Sequence, residues 1–495
     1  MGQVVVIGAG LAGLAASCHL LAAGHRVVVV ERAPIPGGRA GRLVRGEFVF
    51  DTGPTVFTMP ELLAEPFAAV GADLADRLTL NRLDPAYRAR FADGSTLHVR
   101  HGHEAMREEI ARECSAADAA AYDDFVTWLE QLYHLEIPHF IDRNFDSAAG
   151  LLANPGAAAR LVRMGGFGRL GPLLRRRFRD PRLHRLFGFQ AMYAGLAPDD
   201  ALAIYAVITY MDSVRGVYFP EPAAGSSGMH AIPAALAGAA ADAGAEVVLD
   251  AEVRRVLTRS DGAACGVELA DGTKINADAV VCTLDLPTAY ATLLRDLPRP
   301  RALRRPAYSP SAVVWHVGVR DTPTPGIAHH NIHFGAAWSD AFDDLLDGGR
   351  LMRDPSRLVC VPSLDDPHAA PEGSSTLYVL EPVPNLAVGT VDWARERPAL
   401  RERLHAFLDA EGYPSDVAVE ELVGPEEWAA QGMAAGTPFA LAHTFAQTGP
   451  FRPGNVTRHL PGLVFAGSGT VPGVGVPMVL ISGKLAAARV REYLR

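Results

Sequence analysis

Cysteine is scarce in this chain. Five cysteines are spread over 495 positions with no CxxC pair among them: Cys18, Cys114, Cys265, Cys282 and Cys360. That spacing is typical of a reducing compartment and excludes a cysteine-ligated iron–sulfur cluster or zinc site. The histidines offer no metal-ligand spacing either, because His329 and His330 are adjacent and would point to opposite faces of a strand. We therefore expect no metal.

Long apolar runs and an excess of basic charge are also missing. No run reaches the ~18 residues that span a bilayer, and the sequence opens on an apolar segment typical of a strand, so we expect neither a membrane-crossing helix nor a signal peptide. The net charge of −10 argues against nucleic acid as a partner. With 49% hydrophobic and 21% charged residues, the composition predicts a globular chain of about two or three domains.

The N-terminal residues carry a dinucleotide-binding fingerprint. An apolar run predicts a buried parallel strand, after which Gly8, Gly10 and Gly13 permit a tight turn, a close approach to a pyrophosphate and close packing of the next helix. The N-terminus of that helix favours anionic phosphates. Glu31 ends the second predicted strand 21 residues after Gly10, near the ~20-residue offset of a carboxylate that binds the ribose hydroxyls.

The last 35 residues carry a second glycine-rich segment of the same kind. A short apolar strand leads into Gly467, and the loop that follows ends at Pro477, which is well suited to open a helix. The amides at that helix N-terminus would stabilise negative charge on a reduced flavin ring. The two chain ends together predict an FAD site. Another glycine cluster, at residues 166–171, follows no strand, which argues against a second nucleotide and an NAD(P)H-dependent reductase.

The order of predicted strands and helices indicates an α/β fold with interleaved domains. A Rossmann-like FAD-binding domain is predicted from residues 1–75, 220–300 and 450–495. A mixed-sheet substrate-binding domain is predicted from residues 76–104 and 301–449. A helical subdomain that could associate with a membrane is predicted from residues 105–219. Within it, residues 160–185 contain nine arginines and one acid, interleaved with leucine and phenylalanine. This pattern favours an interfacial surface on anionic lipid; the alternative is a basic solvent face with internal salt bridges.

Segments along nearly the whole chain resemble bacterial phytoene desaturases, the carotenoid desaturase branch of the FAD-dependent amine-oxidase-like superfamily. They lie at residues 51–55, 180–190, 201–208, 216–220, 228–230, 328–330, 377–384 and 469–477. The sequence departs from the family pattern at residues 223–228, where a Gly-Gly pair is usual. It departs again at Met478, where glycine is usual and where a larger side chain could alter which carbon pair is presented.

The resemblance implies an FAD cofactor, carotenoid precursors as substrates and the insertion of double bonds. Most simply, the enzyme would convert phytoene towards lycopene; a modified or shorter carotenoid is an alternative substrate. It also implies the cofactor-binding residues, which are Gly8, Gly10, Gly13, Glu31, Arg32, Gly38, Arg39, Gly53, Pro54, Thr55, Val253, Gly467, Val476, Pro477 and Met478. Another flavin oxidase of the superfamily, acting on an amine or porphyrinogen, and a non-catalytic prenyl-binding protein are the other interpretations.

Desaturation of a hydrocarbon would explain why the sequence shows no set of polar residues suited to binding a substrate. A long polyisoprenoid offers no carbonyl, amine or phosphate, so its binding must come from burial, at roughly 0.8 kcal/mol per CH₂, in an apolar tunnel beside the flavin. By resemblance, Asp142 and Arg143 approach this tunnel and are weak catalytic candidates; the alternative is solvated charge on a loop. We expect a quinone or oxygen as electron acceptor. The protein would lie in the cytoplasm on the inner face of the cell membrane, and it could form a homo-oligomer.

Overall fold

The first and last strands of the chain lie in one sheet. The computed structural model describes residues 2–222 and 228–495, so part of the atypical segment at 223–228 lies outside the described residues. Five parallel strands form the first sheet, in the order β19 (Leu463–Phe465), β13 (Ala279–Cys282), β1 (Gln3–Ile7), β2 (Arg26–Val30) and β9 (Glu246–Val248). Most residues of its central strands are buried, as apolar parallel strands covered on both faces require.

A second, seven-stranded sheet is mixed. Its order is β18 (Val417–Val423), β14 (Ser311–Val319), β17 (Ser375–Val383), β16 (Arg357–Cys360), β15 (His330–Phe334), β6 (Tyr87–Phe91) and β7 (Thr96–Val99). Only β15 and β6 pair in parallel; the other neighbours are antiparallel. The sheet therefore joins a segment near residue 90 to strands more than 200 residues later.

Three smaller sheets complete the strands among the described residues. They are β10 (Val253–Thr258) with β11 (Ala264–Leu269) and β12 (Lys274–Asn276); β3 (Arg42–Arg45) with β4 (Phe48–Asp51); and β5 (Leu78–Leu83) with β8 (Val217–Pro222). A hairpin turn at residues 271–272 joins β11 to β12, and Gly272 of this turn has a φ of 89°. The division into domains stays a prediction.

Fourteen α-helices are found in the described part of the chain. They are α1 (Leu11–Ala22), α2 (Pro60–Ala69), α3 (His103–Glu113), α4 (Ala116–Glu136), α5 (Pro155–Arg163), α6 (Leu170–Arg177), α7 (Pro181–Leu186), α8 (Val207–Thr209), α9 (Ala231–Asp242), α10 (Leu286–Ala291), α11 (Ser339–Phe342), α12 (Trp393–Ala410), α13 (Pro425–Ala430) and α14 (Val476–Tyr493). None of these has both the length and the apolar character needed to cross a bilayer. Three π-helical turns are found in the same part of the chain: Ile137–Ile141 follows α4, Tyr210–Arg215 follows α8 and Asp343–Asp347 follows α11.

The largest core joins the first sheet to the helices of residues 105–219, here called the helical region. Buried side chains of β1, α1 and α14 belong to the same apolar cluster as those of α4 and of the segment around residues 183–210. The second sheet has a core of its own, in which Trp315 packs near Leu400 and Leu404 of α12. The helical region is therefore packed directly onto the layer formed by the two chain ends.

Candidate active site

A cavity of about 1000 Å³ lies where the two chain ends meet. Fourteen of the fifteen predicted cofactor-binding residues line it, from Gly8 at the end of β1 to Met478 at the start of α14. Gly13 is the exception and lies behind the turn, inside α1. The structure thus brings the predicted residues to one place, although their contacts with a cofactor stay a prediction.

The turn after β1 can be built only with glycine. Gly8 has a φ of 103°, and a Cβ there would lie 2.3 Å from Oγ1 of Thr283, the residue after β13. A Cβ on Gly13 would lie 2.1 Å from the carbonyl oxygen of Gly8. A Cβ on Gly10 meets no atom closer than 3.8 Å, so a side chain here would fill the cavity instead of clashing with the protein. Gly8 therefore permits the turn, Gly10 leaves the cavity open to a ligand, and Gly13 allows α1 to pack closely on the turn.

Glu31 lies at the edge of this turn with a buried carboxylate. Its Oε2 accepts a hydrogen bond of 2.8 Å from the Ala9 amide, and its Oε1 accepts one of 2.9 Å from the Ala33 amide. These two bonds fix the carboxylate beside the segment that would hold the pyrophosphate. The position fits the predicted contact with a ribose.

Arg39 joins three segments at the cavity wall. Its Nη2 lies 2.8 Å from Oδ2 of Asp285, and its Nη1 donates a hydrogen bond to Oγ of Ser468. A Cβ on Gly53 would lie 1.8 Å from the carbonyl oxygen of Arg39, so the segment 53–55 packs against the backbone here. Asp285 and Ser468 were not predicted from the sequence. Their positions could have indicated them, because each follows a strand of the parallel sheet, at the edge where such sheets bind ligands.

The helix α14 begins at the cavity. Gly475 precedes it with a φ of 117°, and Val476, Pro477 and Met478 of its first turn line the wall. Oγ of Ser482 accepts a hydrogen bond of 3.0 Å from the amide of Gly467, which ties the helix to the loop after β19. No side chain caps this helix or α1, so both present free backbone amides at the same cavity.

This donor set suits FAD. Two uncapped helix N-termini and the Arg39 guanidinium offer positive electrostatic potential, while the glycine turn offers room for a pyrophosphate. The buried Glu31 carboxylate offers acceptors for sugar hydroxyls. The residues present therefore fit both halves of the dinucleotide.

Beyond these residues the cavity continues as an apolar corridor. Its wall carries Phe140, Ile141, Phe189, Ile208, Met211 and Leu358, among others. It also includes three exposed aromatic residues, here called the aromatic patch: Phe167, Phe445 and Phe451. Their side chains are 43%, 58% and 39% exposed, and the ring centroids are 6.4 Å apart for the first pair and 5.5 Å for the second. The corridor thus reaches the surface at an aromatic rim.

Two buried carboxyl groups interrupt the apolar wall. Oδ2 of Asp212 accepts a hydrogen bond of 3.2 Å from the Tyr87 hydroxyl, and burial raises the pKa of Asp212 to about 7. Oε1 of Glu136 has no hydrogen-bond partner among the described residues, and burial raises the pKa of this group well above its usual value. Sequence reasoning missed both, because neither lies in a motif with catalytic spacing.

Asp142 and Arg143, the weak catalytic candidates, do not line the cavity. The Asp142 carboxylate lies 2.6 Å from Nζ of Lys484, which also pairs with Glu65 at 2.7 Å. The Arg143 guanidinium lies over the ring of Phe145, 5.0 Å from its centroid. Both residues are thus engaged in contacts that tie the segment after α4 to its surroundings.

The histidine-rich strand β15 serves packing and hydrogen bonding. Nδ1 of His329 lies 2.7 Å from the Asp365 carboxylate, and Nε2 of His330 lies 2.9 Å from the carbonyl oxygen of Thr55. Within the ranges that the structure describes, no three histidine, cysteine or acidic side chains are grouped as a metal site. His330 therefore supports the wall that contains Thr55.

Comparison with known proteins identifies the class. A profile described as flavin containing amine oxidoreductase matches residues 11–491. A crystal structure of an oxidoreductase from Methanosarcina mazei has a TM-score of 0.64 and 19% identity, covering 99% of this chain and 100% of that one, and shows the same fold. The chain belongs to the flavin-containing amine oxidoreductase family, with FAD as its cofactor, which confirms the predicted α/β fold.

Two curated relatives place it more narrowly. A phytoene dehydrogenase of Streptomyces griseus is 53% identical over 493 residues, covering 99% of this chain and 95% of that protein. A zeta-carotene-forming phytoene desaturase of Myxococcus xanthus is 36% identical over 502 residues, covering 99% of this chain and 94% of that protein. Within the family, the protein is thus an FAD-dependent oxidoreductase of the carotenoid desaturase branch, as its sequence motifs predicted.

Proposed function

We propose that this enzyme desaturates phytoene, a forty-carbon polyisoprenoid, towards lycopene. The observation that carries the proposal is the apolar corridor that shares one cavity with the dinucleotide site and opens at the aromatic patch. An extended hydrocarbon would lie along such a wall, held by burial at roughly 0.8 kcal/mol per CH₂. Because no polar anchor fixes its register, the chain can slide to bring successive carbon pairs beside the flavin.

The protein's own groups supply orientation and charge. When bound, FAD accepts a hydride from the carbon placed beside it. The amides at the start of α14 and the Arg39 guanidinium favour the negative charge that then accumulates on the cofactor side of the cavity. The aromatic and aliphatic wall offers the substrate an apolar surface along the corridor.

We also propose that the aromatic patch docks on the cytoplasmic face of an anionic membrane, from which the substrate enters. Near it, α5 carries exposed Arg160, Val162 and Arg163, and Val162 is 63% exposed. Basic and apolar residues side by side suit a lipid surface. Other arginines of the basic stretch form ion pairs within the chain, such as Arg175 with Asp199 at 2.8 Å. We therefore limit the proposed membrane surface to α5 and the aromatic patch. A quinone dissolved in the lipid, or oxygen, would accept the electrons.

The activity is tested by expression in cells that accumulate phytoene, followed by chromatography of the pigments. We expect coloured polyenes, with lycopene as an end product. Purified protein that holds FAD but yields no new polyene from phytoene would overturn the substrate assignment. Conversion of a modified or shorter carotenoid in the same assay would instead establish the alternative substrate.

A further inference from the structure

Desaturation removes a proton as well as a hydride, and the apolar wall offers few groups that could take it. Among the described residues that line the cavity, Glu136 and Asp212 are the two carboxyl groups of the corridor wall. Both are associated with π-helical turns, because Glu136 directly precedes Ile137–Ile141 and Asp212 lies within Tyr210–Arg215. Turns of this kind are rare and occur frequently at functional sites.

We propose that Asp212 is the proton acceptor of the desaturation step, with Tyr87 as its positioning residue. The inference rests on the proposed function. In the step, one carbon of the substrate loses a hydride, which the bound flavin accepts. The adjacent C–H bond breaks, its electron pair forms the new double bond, and its proton passes to the Asp212 carboxylate. The substrate is oxidised by two electrons and the flavin is reduced by two.

The surroundings of Asp212 favour it over Glu136. Tyr87 donates a hydrogen bond to Oδ2 of Asp212, which orients the carboxyl and stabilises its ionised form. Glu136 has no hydrogen bond at Oε1, and burial alone acts on it, so its neutral form dominates. A base must be ionised before the step, and of the two only Asp212 meets this condition near neutral pH.

Asp212 is also linked through side-chain contacts to residues 53–55, the segment predicted to lie along the flavin. The ring of Tyr87 lies 5.5 Å, centroid to centroid, from that of His330, whose Nε2 is 2.9 Å from the Thr55 carbonyl oxygen. Two side chains therefore connect Asp212 to the segment 53–55. Asp142 lies off the cavity wall, and its carboxylate pairs with Lys484 of α14.

The test uses the holoenzyme with phytoene in liposomes and without oxygen, where bleaching of the flavin reports a single turnover. Asp212→Asn keeps the size of the side chain and is expected to slow bleaching by roughly 10²–10⁴-fold while substrate binding changes little. Asp344→Asn is the matched control and should bleach at the wild-type rate, because this buried carboxyl also lies in a π-helical turn but pairs with Arg350 and Arg353 off the cavity wall.

Two further readouts separate a catalytic from a structural role. Tyr87→Phe should move the pH profile of bleaching to higher pH, because the lost hydrogen bond had lowered the pKa of Asp212. In infrared spectra, a carboxylic-acid C=O band that disappears near pH 7 in the wild type should be missing from Asp212→Asn. Wild-type bleaching in Asp212→Asn, or a comparable loss in Glu136→Gln instead, would overturn the inference. Wild-type enzyme that never bleaches with phytoene would contradict the proposed function itself.

Discussion

Gly483 of α14 touches the backbone of Ala12 in α1: a Cβ on Gly483 would lie 2.4 Å from the Ala12 carbonyl oxygen. The first and last helices of the chain are therefore packed at backbone distance, directly behind the cavity that both their N-termini line. This contact holds the two halves of the proposed FAD pocket together, because they come from opposite ends of the sequence.

Gly483→Leu should force these helices apart. We expect a loss of stability of at least about 1–3 kcal/mol, the usual cost of overpacking, together with a reduced flavin content after purification. Thermal unfolding and flavin absorbance measure the two effects. Ala488→Leu, at an exposed position of the same helix, should match the wild type in both. Equal behaviour of the two variants would show that the contact does not hold the site together.

Gly53→Ala should damage the wall beside the predicted flavin position. The new Cβ would lie 1.8 Å from the Arg39 carbonyl oxygen, so the segment must shift away from its place. We expect FAD to bind at least tenfold more weakly, as measured by fluorescence titration of the stripped protein. Gly454→Ala is the control, since a Cβ at that position would meet no atom within 4 Å. Unchanged affinity in Gly53→Ala would remove residues 53–55 from the site.

Arg39→Ala should weaken FAD binding roughly ten- to hundredfold, the effect expected when a hydrogen bond to a charged group is lost. It would also leave Asp285 without its cation at 2.8 Å, which adds repulsion towards the phosphates. Arg45→Ala removes an exposed pair with Glu421 and should leave the affinity unchanged. The same fluorescence titration with FAD measures both variants. Equal affinities of Arg39→Ala and wild type would exclude Arg39 as a cofactor-binding residue.

The pKa of Asp212 makes a prediction for stability. Burial holds its pKa at about 7 in the folded protein, against about 3.9 in the unfolded chain. Between these values the folded state keeps a proton that the unfolded state has lost, so stability falls as pH rises, by up to roughly 4 kcal/mol from this group. Denaturant unfolding of wild type and Asp212→Asn at several pH values isolates this contribution. A constant difference between them would show that Asp212 titrates normally.

Membrane docking makes a separable prediction. A variant with serine at the three positions of the aromatic patch should lose flotation with vesicles that contain an anionic phospholipid. A control variant with serine at Leu386 and Val388, which are also exposed but lie off the cavity wall, should float like the wild type. Flotation of both variants would exclude the patch as the docking surface.

The sequence predicted what depends on local pattern. Apolar runs followed by glycine located β1 and β19, and the requirement for a tight turn located Gly8, whereas Gly53 was implied by the resemblance to phytoene desaturases. Helix α14 could be expected from Pro477 and the alanine-rich run behind it. These features can be read because each follows from a few neighbouring residues.

The parts that could not be predicted depend on distant contacts. Asp212 and Tyr87 are 125 residues apart, and only the packing of the turn Tyr210–Arg215 against strand β6 brings the carboxyl to the hydroxyl. Asp142 was a catalytic candidate by resemblance, yet its carboxylate accepts a hydrogen bond from Lys484, 342 residues later. Burial and pairing decide which carboxyl groups line the cavity, and both depend on residues far apart in the sequence.

The two chain ends together should hold one FAD beside an apolar corridor for phytoene. To test this, the holoenzyme is mixed anaerobically with phytoene-loaded liposomes, and absorbance is recorded at flavin and polyene wavelengths together. We expect bleaching of the flavin and one new double bond for each flavin bleached. Protein that takes up no FAD, or flavin that stays oxidised while phytoene is present, would contradict it.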